Sequence, residues 1–323
     1  MYCCTGFRTG SNPFIKLLEE RRRLPRASRY RRHLSGEPFL CPSKQCDSEA
    51  PEIVALADKL RAEQTHPWKY AQAVYQFVSN EITYGILPPP RSGVVGTLER
   101  GFGNCWDKQN LLVALARSGG IPARFCFVGG ASYIGDGAGQ GQAHLLPWFL
   151  DALNRDARGS WLVSLELGLR RVIARAMLGE ENNSGLFPWR LHPYVELKIG
   201  DCWIPADPTW GDEEAAGLGF ALPLLGYDPL MLWGVKGNVI KRSEEIPTGW
   251  EQWISRRFFC FGICMSDRCA NLAFEDVRAS GRRILRALGR SEYIKQKRRR
   301  YVPIPGLAEV ERASSEWSRM NSP

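Results

Sequence analysis

The sequence predicts an α+β protein, and three observations carry that reading. Apolar residues recur at helical spacing from Pro67 onward. A second helical run opens at Cys105 and leads straight into a strand. Two strand-like runs flank Gly200-Asp201, a pair suited to an antiparallel hairpin.

In the first helical run, Pro67 to Tyr84, residues Ala71, Val74, Phe77, Val78 and Ile82 recur at steps of three or four. Pro88-Pro89-Pro90 ends this run and begins a loop. In the second, Asn104 is a suitable N-cap, Asp107 places a negative charge in the first turn, and Leu111, Leu112 and Leu115 form the apolar stripe. Ser118-Gly119-Gly120 followed by Pro122 stops it. A strand follows, in which Phe125 and Phe127 alternate with Cys126 and Val128. Residues 129–141 read as glycine-rich loop, and Trp161 to Met177 fits either a strand entering a helix or one continuous helix. From about residue 251 the chain reads as helical, including an Arg-rich amphipathic segment from Phe274 to Leu288.

The hairpin is the most explicit element. A two-residue turn at Gly200-Asp201 pairs Ile199 with Cys202, so opposed residues have numbers summing to 401. Leu197 then faces Ile204, Val195 faces Ala206, Tyr194 faces Asp207, and His192 faces Thr209. One face carries Val195, Leu197, Ile199, Cys202, Ile204 and Ala206 and belongs to the core. The other carries His192, Tyr194, Glu196, Lys198, Trp203, Pro205 and Asp207, with Glu196 and Lys198 expected as an exposed polar edge. Asp207 is the diagonal neighbour of His192, within side-chain reach.

The net charge of +9 is unevenly placed. Residues 51–250 hold 18 Lys/Arg against 21 Asp/Glu; residues 1–50 hold 10 against 5, and 251–323 hold 15 against 8. The excess sits on the two ends. Lys295, Lys297 and Arg298 to Arg300 are suited to touching phosphate, but no nucleic-acid motif accompanies them, and the bland reading is a solvated tail. No apolar run approaches the roughly 18 residues of a membrane span, and Met1 to Gly10 lacks the apolar stretch of a secretory signal. Ten cysteines in that context read as free thiols of a reducing compartment, which gives a cytoplasmic expectation. The spacings of Cys41 with Cys46, and of Cys260, Cys264 and Cys269, do not match zinc knuckles. Together with Cys3 and Cys4 they form the alternative metal reading; the expectation adopted is small buried hydrophobes, with no metal and no cofactor.

The candidate chemistry joins the second helix to the hairpin. Cys105 in the first turn of a helix meets unpaired N–H groups and the positive end of the helix dipole, a setting expected to lower a thiol pKa. His192 would act as its base, and Asp207 would fix the imidazole tautomer and stabilise the imidazolium. The Cys105 N–H is available to an oxyanion, and Trp68, Tyr84 and the Trp106 indole are candidates for a second donor. Tyr84, Trp106, Tyr194 and Trp210 are the candidate substrate-lining residues, with Trp203 an aromatic nearby. His144 is a rival base. Cys126 and Cys202 read as packing residues.

The run Gly103-Asn104-Cys105-Trp106, then Leu111 to Leu115, then Gly120-Ile121-Pro122-Ala123-Arg124, resembles the nucleophile helix and following strand of the transglutaminase-like superfamily. His192-Pro193-Tyr194-Val195-Glu196-Leu197, Trp203 and Asp207-Pro208-Thr209 resemble its His and Asp strands. The resemblance covers about 67–128 and 191–210. It implies a papain-like α+β core, with the Cys helix packed on an antiparallel sheet, and a triad of Cys105, His192 and Asp207. It also implies a peptide or protein substrate, whose amide bonds are cleaved or made through an acyl-thiol intermediate. The segment at about 129–190 is longer than in compact members and reads as an insertion, a candidate lid over Cys105.

The expected organisation is therefore a basic extension (1–50), a catalytic domain (51–250) and a helical basic extension (251–323). Three functions stand at this level: a thiol hydrolase, a protein-glutamine transglutaminase, and a non-catalytic module that docks an acidic partner or nucleic acid through its basic ends. Neither the substrate nor an oligomeric state follows from the sequence. Pro223 to Trp233 reads as an ordered segment flanking the site.

Overall fold

Helix α1 (Pro51–Ala62) buries Ile53, Leu56 and Ala57 against the core. The computed structural model to which it belongs describes residues 39–43, 45–62, 64, 66–85, 93–133, 192–245 and 267–320. Helix α2 (Pro67–Asn80) starts where the sequence places it. Pro67 fills the first turn, where no N–H is needed, and His66 Nδ1 accepts the Trp68 N–H at 3.2 Å. Its stripe, with Ala71, Val74 and Val78 all but inaccessible, faces inward. The helix ends at Asn80, short of the expected Tyr84. Thr83–Tyr84 instead forms strand β1, paired in parallel with β2 (Phe102–Gly103) after the short helix α3 (Gly93–Arg100).

Helix α4 (Cys105–Ser118) lies at the centre of the core. Asn104 and Asp107 form a capping box: the Asn104 side-chain oxygen accepts the N–H groups of Trp106 (2.9 Å) and Asp107 (3.1 Å). The Asp107 carboxylate accepts the Asn104 N–H at 3.1 Å. Every residue from Lys108 to Arg117 is buried, so the apolar stripe foreseen at Leu111, Leu112 and Leu115 understates how fully the helix is enclosed.

Four antiparallel strands form the sheet, in the order β5 (Cys202–Ala206), β4 (His192–Ile199), β3 (Ala123–Tyr133) and β6 (Val235–Ser243). The β4–β5 register is the expected one from Ile199↔Cys202 out to Val195↔Ala206. Gly200 adopts φ 58°, while Asp201 keeps negative φ, the pattern of a type II′ turn. Phe125, Val195, Leu197 and Ile204 are fully buried on one face, each worth about 1.5–3 kcal/mol. Phe127 on the same face meets the Trp106 ring of α4 at 6.4 Å.

Two expectations about the hairpin are corrected. Asp207 does not pair with Tyr194, because the ladder stops at Ala206. Pro208 cannot donate to a ladder, and the Asp207 carboxylate turns back to accept the Thr209 N–H at 3.0 Å. Glu196 is not an exposed edge. It is buried at 6% exposure, with Arg124 of the adjacent β3 at 2.6 Å and Arg242 of β6, beyond β3, at 3.2 Å. The Arg124 guanidinium also lies 3.7 Å from the centre of the Trp203 ring, so this face of the sheet is covered by arginine side chains.

After β5, helices α5 (Asp212–Gly217) and α6 (Pro229–Leu232) precede β6. Helix α7 (Asp267–Leu288), α8 (Arg290–Gln296), a 3₁₀ turn (Arg298–Arg300) and α9 (Leu307–Met320) complete the described chain. Helix α7 crosses α5 at two glycines: a Cβ on Gly217 would run into the Val277 carbonyl, and one on Gly281 into that of Glu213. Among the described residues no helix is long and apolar enough to cross a membrane.

Candidate active site

Cys105 opens α4, held by the capping box around it. The residue is half-buried, and its sulfur lies deep enough for burial to dominate its electrostatics. Here the expected direction is reversed. Burial first, then the negative charges of Asp207 and Asp107, push the thiol up to about 12. The first-turn N–H groups of Trp106 and Cys105 pull downward, as a helix start should, but are outweighed. Among the described side chains none supplies the cation that a thiolate at this sulfur needs.

Asp207 is buried at 2% exposure in the turn that ends β5, and its charge is felt at this thiol. Tyr75 of α2 donates its hydroxyl to the Asp207 carbonyl at 3.0 Å, which fixes the main chain of the turn. His192 begins β4, its main chain opposite Val128. Gln109 is one turn beyond Cys105 on the same face of α4, and it donates its side-chain amide to the carbonyl of Pro193, the residue after His192. The helix bearing Cys105 and the main chain next to His192 are thereby tied together.

The aromatic candidates separate into two groups. Tyr84 and Trp210 stack with ring centres 4.4 Å apart. Tyr84 is buried, and burial followed by the nearby Cys105 and Asp107 raises its phenol well above the ordinary value. Trp106 is half-buried next to Cys105. Tyr194 sits elsewhere, in a cluster with Cys126, Val128, Leu230 and Val239, because it shares the sheet face of Cys126. Trp68 is a core residue at 1% exposure. Cys126 is fully buried as expected, Cys202 is half-buried against Gly306, and Trp203 packs on Arg124.

Three residues of this region carry no sequence signal tying them to it. Phe274 of α7 closes the aromatic wall, 4.6 Å from Tyr84 and 5.9 Å from Trp210. Glu214 of α5 accepts the Tyr84 N–H at 3.2 Å and pairs with Arg278 of α7 at 3.4 Å. Lys108 is fully buried one turn after Cys105. Helical periodicity marked only the amphipathic character of α7 and said nothing of its partner.

Among the described residues no group of three His, Cys, Asp or Glu side chains is arranged to hold a metal. Cys46 is buried and donates its thiol to Asn110 at 3.3 Å, and Cys41 is exposed. Cys3, Cys4, Cys260, Cys264, His144, the run Trp161 to Met177 and the rest of the expected insertion beyond Tyr133 lie outside the described residues, as does the side chain of Cys269. Pro223 to Trp233 is ordered: Asp228 caps α6, and Leu230 packs with Tyr194.

Comparison with known proteins gives the following. No curated protein matches the chain. A solved structure described as "a Putative Cysteine Protease from Cytophaga hutchinsonii" is 19% identical over 64% of this chain, with a TM-score of 0.35. The chain spans 46% of the length of that protein, less than half of it. Residues 54–208 match the family described as the transglutaminase-like superfamily, a span that runs from α1 through the Cys105 helix and β3–β5 to the residue after Asp207. Over residues 54–208 the chain is thus similar to the transglutaminase-like superfamily, and its fold is of the papain-like α+β type.

Proposed function

We propose that this protein is a thiol hydrolase acting on peptide or amide bonds, with Cys105 as nucleophile, His192 as base and Asp207 as the group that orients it. The family match over residues 54–208 supports an enzyme of thiol type. The observation that carries the reading is the convergence of three chain segments. Cys105 stands at a doubly capped helix start, the Asp207 carboxylate acts on its sulfur, and Gln109 ties the same helix to the main chain beside His192.

In the mechanism this implies, His192 takes the Cys105 proton, and the sulfur adds to the carbonyl carbon of the scissile amide. The resulting oxyanion is met by the Cys105 N–H, with the Tyr84 hydroxyl as a second donor. The imidazolium returns its proton to the leaving nitrogen, the C–N bond breaks, and a thioester remains on Cys105. Water, deprotonated by His192, adds to the thioester; the carboxylic acid leaves and the thiol is restored. The Tyr84–Trp210–Phe274 wall suits an apolar flank of the substrate.

A transglutaminase would use the same groups, with a primary amine in place of water. Incubation of the protein with denatured casein and dansylcadaverine separates the readings. Hydrolysis appears as new amino termini or released ammonia, dependent on Cys105; transamidation appears as dansyl fluorescence on the casein. If neither appears and a Cys105→Ala variant still binds an acidic partner in a salt-sensitive way, the non-catalytic reading replaces both.

A further inference from the structure

Strand β1 is two residues long and, among the described residues, pairs with β2 alone. The N–H groups of Thr83 and Gly85 donate to the carbonyls of Gly101 and Gly103, on the β2 side, at 3.0 and 3.1 Å. The N–H and carbonyl of Tyr84, which lies between them, therefore face the opposite edge, where no described strand continues the ladder. Tyr84 is buried, so both groups need partners there.

An ion pair supplies them. Glu214 Oε1 accepts the Tyr84 N–H at 3.2 Å, Arg278 Nη1 donates to the Tyr84 carbonyl at 3.1 Å, and the same two atoms meet each other at 3.4 Å. Acceptor and donor stand where the backbone of a next strand would put them. Their side chains are 4% and 11% exposed, and each is held from behind. Glu214 Oε2 accepts the Gly211 N–H at 3.0 Å at the start of α5. Arg278 rides on α7, which is pressed onto α5 at the Gly217 and Gly281 contacts. One turn earlier on the same face of α7, the Phe274 ring packs 4.6 Å from that of Tyr84. Tyr84 is in register with Gly103, two residues before Cys105, so whatever fixes its main chain fixes it against the start of α4.

We propose that Glu214 and Arg278 are positioning residues that clamp the main chain of Tyr84 and so aim its hydroxyl, the second donor of the proposed oxyanion site. The inference rests on that reading of Tyr84 and extends it. Both residues lie beyond the matched span 54–208, so the clamp makes the C-terminal helix α7 part of the site. The competing role is a packing contact that only fastens α7 to α5. Such a contact would not act through one hydroxyl group.

The test is a kinetic double-variant cycle in the full-length protein, read on hydrolysis of denatured casein. Arg278→Met should lower kcat by about tenfold with KM little changed, because an oxyanion forms only after substrate is bound. In a Tyr84→Phe background, which lacks the hydroxyl, the same change should cost less than about twofold. Equal losses in the two backgrounds, or none in either, overturn the positioning role. Should Arg278→Met fail to fold, Glu214→Leu with Arg278→Met strands no buried charge and takes its place with the same expectations. Hydrogen exchange, located by mass spectrometry, reads the clamp without activity. In the wild type the Tyr84 amide should exchange as slowly as that of Gly85, although its edge meets no strand. In Glu214→Leu with Arg278→Met it should exchange about tenfold faster while the amides of Leu111 to Leu115 stay protected. Fast exchange at Tyr84 in the wild type, or no change in the variant, overturns the clamp. If casein is not cleaved while exchange behaves as expected, the enzyme reading falls, the aiming of the hydroxyl falls with it, and the clamp stands. Cleavage without coupling leaves the enzyme reading in place and removes Glu214 and Arg278 from it.

Discussion

Replacing Glu196 by Gln should destabilise the fold at neutral pH and far less in acid. Glu196 sits at the centre of the sheet, bonded to Arg124 on β3 and Arg242 on β6. The Arg124 pair is the consequential one, at 2.6 Å with side chains 17% and 8% exposed. Arg242 is 48% exposed and is discounted for solvent screening. A buried, charge-assisted hydrogen bond contributes about 1.5–3 kcal/mol, and losing its charge leaves Arg124 with a weaker neutral partner. We expect a loss of about 2 kcal/mol, or about 4–8 °C in melting temperature for a domain of this size. Burial raises the Glu196 carboxyl, but the hydrogen bonds from Arg242, Arg124 and Cys126 outweigh it, so the net shift is downward. A depressed carboxyl stabilises the fold above its unfolded pKa, and that stability disappears as pH falls through the folded value. The gap between wild type and Glu196→Gln should therefore be full at pH 7 and narrow below about pH 4. Urea unfolding at the two pH values measures it. A gap under about 0.5 kcal/mol at pH 7, or one that does not narrow in acid, would refute the reasoning.

Two further outcomes follow from the site. Asn104→Ala removes the acceptor of the Trp106 and Asp107 N–H groups, which should cost about 1–2 kcal/mol in urea unfolding; an unchanged midpoint would show that the cap is redundant. Tyr84→Phe keeps the stack on Trp210 and Phe274 but deletes the hydroxyl near Cys105. Turnover of a substrate should fall by about 10²-fold with the melting temperature little changed, and undiminished turnover would leave Tyr84 as packing alone.

The sequence shows what is local. The cap at Asn104, the Gly119-Gly120 stop and the Gly200-centred hairpin register depend on residues a few positions apart, and each can be worked out from spacing and turn chemistry. What it conceals depends on distant partners. Glu196 looked like an exposed edge because Arg242, which covers it, lies on a strand 46 residues away that no pattern announced. The pairing of Asp207 with Tyr194 extends the ladder one residue too far, past Ala206, where it stops just before Pro208. Lys108 carries no sequence signal of its burial, which follows from the enclosure of its helix from Lys108 to Arg117. The same enclosure reverses the expected electrostatics of Cys105: a helix start lowers a thiol pKa, but burial and two aspartates push harder the other way.

That reversal makes the pH dependence of Cys105 alkylation the most direct test. Burial with Asp207 and Asp107 pushes the thiol up to about 12, and the proposed triad requires the His192 imidazolium to bring it back down. Iodoacetamide labelling, mapped by peptide mass spectrometry in wild type and His192→Ala, reads both states. The account predicts selective labelling of wild-type Cys105 with a midpoint well below about 8.5, moving several pH units upward in His192→Ala. A wild-type Cys105 that labels no faster than the other nine cysteines, with no effect of His192→Ala, would contradict it.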